Sequence, residues 1–268
     1  MQCFAKSDRG AVRKENQDRA AGARIRRKGC VVGVVCDGMG GAAGGKLASE
    51  LAASTFLAQF RREMMAGSAV EPAMRAACDA ANQAVYGRAC ADPELRGMGT
   101  TIVAACVRHG RLTVLHVGDS RAYLVGLRRM QQLTTDHSLV QELVASGQVL
   151  PEQAHRHPRR NVITRAVGVG AKVEPDCRSM PFPLGARLLL CTDGLGWYQE
   201  AGKRAQALHP GDVVTIPAGV KHWHGAQKDC WFSHIAIECP GKETSNEWLE
   251  PVTDAEYAAL AADCAQNP

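Results

Sequence analysis

Three aspartates stand where apolar runs end. Asp37 follows the run Val31 to Cys36, Asp119 follows Leu112 to Gly118, and Asp193 closes the run that begins at Arg187. Each is followed by a small residue, Gly38, Ser120 or Gly194, that lets the backbone turn sharply and approach a ligand closely. Singly, Asp-Gly after a strand is ordinary turn chemistry. Three carboxylates held at rigid strand ends, with no Cys/His ligand cluster beside them in the sequence, instead suit a hard divalent cation taking oxygen ligands, Mg²⁺ or Mn²⁺. The 11 cysteines are scattered without a CxxC spacing. They read as small buried residues and free thiols, with Cys36 and Cys191 as strand residues and not nucleophiles. His155 and His157 form an H-x-H pair in a Pro/His/Arg-rich stretch that reads as solvated loop.

The elements that must carry the aspartates alternate along the chain. Val31 to Val35 is a buried strand, followed by a helix of roughly 20 residues whose Leu47, Leu51 and Phe60 suit one apolar stripe. A second, Ala-rich helix is expected from Ala69 to Cys90. Strands follow at Thr101–Val107, Leu112–Val117 and Ala122–Val125, with a hairpin turn at Arg108–Arg111. A helix over Ser138–Ala145, an exposed flap over Pro151–Arg160 and a strand at Arg187–Cys191 complete this part. Strands dominate and the helices come in separated pairs, so an α+β arrangement of sheets and helices fits better than a doubly wound sheet. Beyond Leu195, Asp212–Ile216 and Trp231–Ile237 are β-type, and Thr253 to Glu256 is a capping box opening a short helix.

The net charge of +5 conceals a division. Residues 1–195 hold 27 Lys and Arg against 17 Asp and Glu, whereas residues 196–268 hold 5 against 10 and all four tryptophans. A simultaneous jump in charge and aromatic content marks two units. The basic excess is dispersed and no nucleic-acid module is recognisable, so no nucleic-acid partner is expected. No apolar run approaches the length of a membrane span, and the start of the chain has no apolar signal region, so the expectation is a cytoplasmic protein away from membranes.

Seven ordered motifs carry a family resemblance: SDRGAVRKENQD (7–18), VVCDGMGG (34–41), MGTTIVAA (98–105), HVGDSRAYL (116–124), LTTDHSLVQELVASGQV (133–149), RNVITRAVG (160–168) and LLLCTDGL (188–195). Over residues 6–195 the chain resembles the bacterial form of the PPM (type 2C) metal-dependent serine/threonine protein phosphatases. The resemblance implies a β-sandwich flanked by helices, and hydrolysis of phosphoserine and phosphothreonine on proteins by a metal-activated water. It implies two Mn²⁺ or Mg²⁺ ions, with a weaker third. Asp37 would bridge two metals, the Gly38 carbonyl and Asp193 would complete their shells, and Asp18 would hold a metal or its water. Asp119 would serve the third site, and Arg13 would clamp the substrate phosphate with its planar fork of donors. The implied partners are phosphorylated proteins, with a serine/threonine kinase or its targets behind them.

Three positions depart from that pattern. Gln17 stands where many members carry a glutamate, and Met39 where animal members carry a histidine. After Leu195 the Gly-x-Asp-Asn motif, whose aspartate ligates the second metal, is missing. The expected domains are therefore a phosphatase-like part, 1–195, lacking its last motif, and a separate segment, 196–268. The latter resembles the C-terminal half of a small cupin of the carboxymuconolactone-decarboxylase-like sort. Its motif runs from Gly211 through Pro217 and Gly219 to His222, a candidate metal ligand, but the first cupin motif is absent. Two alternatives stand beside an impaired phosphatase: an inactive phosphoprotein-binding module, and a cupin-type binder of a small molecule or metal.

Overall fold

The computed structural model describes residues 15–126, 130–192, 196–208, 219–226 and 249–250, together with 3, 5, 7, 252, 253 and 256. They form two compact units, the first extending through Thr192 and the second beginning at Gly196.

In the first unit, β2 (Cys30–Met39) is apolar on both faces and both are used. Cys30, Val32, Val34 and Cys36 are buried in a core shared with helices α1 (Gly41–Ala66) and α2 (Val70–Ala91). Val35, on the opposite face, packs on a second core. After the short β3 (Gly99–Thr100), β4 (Ile102–Arg108) divides in the same way. Its Ile102, Ala104 and Cys106 face the helices, and Val103, Ala105 and Val107 face the second core. An unbroken apolar run is the mark of such a middle-layer strand. The first sheet has the order β1-β2-β4-β5-β8, with β1 (Asp18–Ile25), β5 (Arg111–Val117) and β8 (Asp176–Pro181), and β3 pairs with β2 beyond the end of β4. The second sheet has the order β7-β6-β9, formed by β6 (Arg121–Val125), β7 (Met130–Gln132) and β9 (Arg187–Cys191). Ala122 and Leu133 meet Val103, Leu112 and Val114 between the sheets, with Leu124, Leu188 and Leu190 against them.

The α+β sandwich flanked by helices, expected from the sequence, is thus the observed fold. Burial of Phe56, Phe60, Met64 and Met74 to 1% exposure or less ties the helices to the sheet; each such side chain contributes about 1.5–3 kcal/mol. The hairpin expected at Arg108–Arg111 closes with His109 at φ 47° and Gly110 at φ 71°, the positive pair that a two-residue primed turn needs. The helix over Ser138–Ala145 is α3 (Leu139–Ala145), capped by the Ser138 hydroxyl accepting from the Gln141 N–H at 3.2 Å.

In the second unit, β10 (Gly196–Glu200), β11 (Gln206–Leu208) and β12 (His222–Ala226) form an antiparallel sheet of order β11-β10-β12. Trp223 Nε1 donates to Gln199 Oε1 at 2.8 Å across it. Further on, the capping box forms: the Thr253 N–H donates to Glu256 Oε2 at 2.9 Å, and the Glu256 N–H to Thr253 Oγ1 at 3.3 Å. The expected strands Asp212–Ile216 and Trp231–Ile237 lie outside the described residues. Among the described residues no helix is long and apolar enough to cross a membrane.

Candidate active site

The ladder between β1 and β2 sets Asp18 directly opposite Asp37. Directly opposed residues of an antiparallel pair project to the same face, with Cβ atoms about 4.5–5.5 Å apart. Here that face is the inter-sheet one, because Val35, two residues before Asp37, packs into the inter-sheet core. Two like charges so placed repel each other, and a cation between them offsets the repulsion. The donor set is all oxygen, so it fits a hard cation.

The backbone around Asp37 is fully engaged. Its N–H donates to Thr101 Oγ1 at 3.0 Å, and its carbonyl accepts from the Thr101 N–H and the Thr100 hydroxyl, both at 2.8 Å. The Gly38 N–H donates to the Gln17 carbonyl at 3.1 Å. A Cβ at Gly38 would overlap the Gly45 carbonyl near the start of α1, so only glycine lets strand end and helix start approach this closely. Gln17, in the position where many family members carry glutamate, donates from Nε2 to the Gly41 carbonyl at 2.9 Å. Asp18 Oδ2 accepts from the Thr192 hydroxyl at 3.2 Å, which brings the end of the second sheet to the same carboxylates. Thr192 immediately precedes Asp193. Asp193 and Arg13 themselves lie outside the described residues.

Asp119 is buried, at 8% exposure, in the turn between β5 and β6. Gly118 has φ +99°, and a Cβ there would stand 2.7 Å from Thr101 Cγ2. Ser120 Oγ lies 2.6 Å from Thr101 Oγ1, the same hydroxyl that receives the Asp37 N–H. One threonine therefore ties the strand end bearing Asp37 to the turn bearing Asp119.

The sequence suggests no histidine cluster near the aspartates; the structure corrects this. His116, His137 and Asp176 present ligand-type atoms within 4.8 Å of one another, and the two rings stack at 4.6 Å. These residues come from β5, the loop just before α3, and β8, so only the folded register assembles them. Burial lowers the pKa of both histidines, outweighing the carboxylate of Asp176. Burial works against ionisation of Asp176 too, but the hydrogen bond and charge of His137 and the Arg165 guanidinium hold its pKa below the usual range. Beside them, Arg121 grips Asp136, with Nε 2.9 and 3.0 Å from its two oxygens. Cys36 has its thiol pKa pushed up by burial and by Cys78, Asp18 and Asp37, which agrees with a strand residue and not a nucleophile.

His222 lies on β12 opposite Glu200, exposed, with Nδ1 3.0 Å from the Val220 carbonyl. Among the described residues it joins no group of three side chains with metal-ligand spacing.

An antiparallel sandwich with opposed carboxylates at one end is a scaffold suited to a hard divalent cation, and comparison with known proteins supplies the class. The sequence matches the protein phosphatase 2C family over residues 10–210, past Leu195, and the chain belongs to that family of serine/threonine protein phosphatases. It is 38% identical over 197 residues to the serine/threonine phosphatase stp of Listeria innocua, covering 73% of this chain and 78% of that one. The crystal structure of the Mycobacterium tuberculosis serine/threonine phosphatase PstP/Ppp superposes with a TM-score of 0.62 at 38% identity, covering 70% of this chain and 76% of that one. The catalytic domain of PstP in complex with two manganese ions superposes with a TM-score of 0.60 at 36% identity, covering 70% and 75%.

Proposed function

We propose that the chain hydrolyses phosphoserine and phosphothreonine on proteins, at a rate reduced by an incomplete metal site. The observation that carries the reading is the register that opposes Asp18 and Asp37 on the inter-sheet face, an all-oxygen pair of like charge that a divalent cation would bring together favourably. Asp18, Asp37, the Gly38 carbonyl and Asp193 would hold Mn²⁺ or Mg²⁺, with Asp119 at a weaker third position. When bound, the ions supply an activated water and positive charge against the negative charge developing on phosphorus. Arg13 would orient the phosphate through paired hydrogen bonds. Met39 carries no proton to give, so the leaving oxygen would take its proton from water or from another group. Phosphoproteins, the targets of a serine/threonine kinase, are the partners of this reading, and the cytoplasm its compartment.

The impairment follows from the missing Gly-x-Asp-Asn aspartate after Leu195. Losing a carboxylate removes both a ligand and a negative charge, so the second ion is held less tightly. We assign residues 1–195 to the phosphatase and 196–268 to a separate cupin-like segment, in which His222 alone makes no metal cage. The same missing aspartate favours one rival, a phosphoprotein-binding module without turnover.

Isothermal titration with Mn²⁺ beside a phosphopeptide assay decides between them. The expected result is Mn²⁺-dependent phosphate release with one tight ion, and a loss on the order of 2–3 kcal/mol in Arg13→Ala. Selective phosphopeptide binding without hydrolysis at any Mn²⁺ concentration would establish the binding module. Two tight ions with the turnover of a complete relative would show that a residue beyond Leu195 replaces the aspartate.

A further inference from the structure

His137 touches the Asp119 turn in a way that a packing residue does not. Its backbone N–H donates to the Gly118 carbonyl at 3.0 Å. Its side chain returns to the same residue: the Gly118 N–H donates to His137 Nδ1 at 3.2 Å. Both backbone polar groups of Gly118 are thus held by one residue. This matters because Gly118 sits at φ +99°, a conformation with little intrinsic preference for one setting of the adjoining peptides. His137 is in turn anchored from behind. Its carbonyl accepts from the Thr164 N–H at 2.8 Å, and the neighbouring Ser138 bridges to Ile163.

The spacing of His116, His137 and Asp176 also resembles a metal cluster, but the hydrogen bonds of His137 and Asp176 point to a different role. His116 Nε2 lies 2.7 Å from the Thr135 carbonyl and must carry the proton it donates there. His137 Nδ1 is an acceptor, so its proton sits on Nε2, 3.5 Å from Asp176 Oδ2, and that nitrogen has no lone pair for an ion. Arg165 Nη1 donates to Asp176 Oδ1 at 3.0 Å and supplies the positive charge beside it; with the proton on Nε2 its 3.3 Å approach to His137 is a contact between two donors and not a hydrogen bond. Each part of the cluster instead fixes the His137 ring: His116 by stacking, Asp176 by taking the Nε2 proton, and Arg165 by holding Asp176.

We propose that His137 is a positioning residue of the active site, which fixes the turn presenting Asp119 by holding the Gly118 backbone from both sides. The proposal rests on the reading that Asp119 serves a metal. Burial keeps the ring neutral at neutral pH, as acceptance by Nδ1 requires. Ser120 transmits the same setting to Thr101, and so to the backbone of Asp37.

The test compares two variants of the full chain. An asparagine oxygen takes roughly the place of Nδ1 and can accept from the Gly118 N–H, whereas leucine cannot. His137→Leu is expected to lose hydrogen-exchange protection at the Gly118 amide. It should also raise the Mn²⁺ concentration for half-maximal phosphatase activity about tenfold, with a smaller change in turnover at saturating Mn²⁺. His137→Asn should keep the Gly118 protection and lie near the parent in Mn²⁺ dependence. If the two variants behave alike in exchange and in Mn²⁺ dependence, the ring acts by filling space and the proposal is wrong. Asp119→Asn separates the two layers of the argument. An unchanged Mn²⁺ dependence in that variant would remove the metal role of Asp119, while exchange at Gly118 would still decide whether His137 holds the turn.

Discussion

Asp18 and Asp37 set two like charges facing each other across a strand pair, an arrangement that works against the pairing. Asp37→Asn keeps the shape and removes one charge. Without metal its stability should rise by about 0.2–1 kcal/mol, and the further stabilisation that Mn²⁺ gives the parent should vanish together with Mn²⁺-dependent turnover. Thermal melts of parent and variant, with and without Mn²⁺, check both halves; a variant still stabilised by Mn²⁺ would show that Asp37 is not a ligand. Much at this scale was legible in the sequence. Asp37 and Asp119 end apolar runs, and that pattern alone marked them, whereas Asp18 and Arg13 entered only through family resemblance. The grouping of His116, His137, Arg165 and Asp176 was not legible. Its members share no local pattern, and only the pairing of β5 with β8 and the contact of the loop before α3 with Gly118 unite them.

In the first sheet the longer strands that escaped the sequence reading are β1 and β8, which lie at its two edges; the short β3 and β7 and the second unit's β10, β11 and β12 escaped it too. β1 is rich in alanine and glycine, and β8, from Asp176 to Pro181, has no buried residue, so neither shows the apolar run that betrayed β2, β4 and β5. The segments 116–121 and 134–138 make up the other feature of this scale, a pair locked by Arg121–Asp136, by His116–Thr135 and by His137–Gly118. That lock predicts a pH dependence. Unfolded, both histidines take up protons below about 6.5, their ordinary value; folded, they resist protonation until a lower pH. Below about 6.5 the unfolded chain therefore binds more protons, and stability is lost as pH falls toward the folded values. Asp176, held below its ordinary 3.8, does not titrate in this window. Denaturant melts at pH 7.5 and 5.5 should show lower stability at the acid value, and His116→Phe, which keeps an aromatic ring for the stack, should show a smaller difference. An equal difference in the variant would assign the acid sensitivity elsewhere.

The two units differ in what holds them together. Among the described residues both hydrophobic cores belong to the first, where helices and two sheets bury a continuous set of side chains. In the second, Tyr198 is the buried hydrophobic residue among the described ones, and the sheet has three strands, near the lower limit for independent stability. Apolar burial sets most of the resistance to unfolding, so the second unit should melt first. The sequence supplies separate reporters for the two events. All four tryptophans lie beyond Leu195, so tryptophan fluorescence follows the second unit alone. The long helices α1 and α2 lie in the first, so circular dichroism in the helical band follows that one. Heating should give a fluorescence midpoint several degrees below the dichroism midpoint, which departs from a single two-state transition. Mn²⁺ should raise the dichroism midpoint far more than the fluorescence one, because Asp18, Asp37 and Asp119 belong to the first unit and a ligand stabilises the structure it binds. Coincident midpoints that rise together with Mn²⁺ would mean that the two units unfold as one, and that the segment beyond Leu195 takes part in the stability of the metal site.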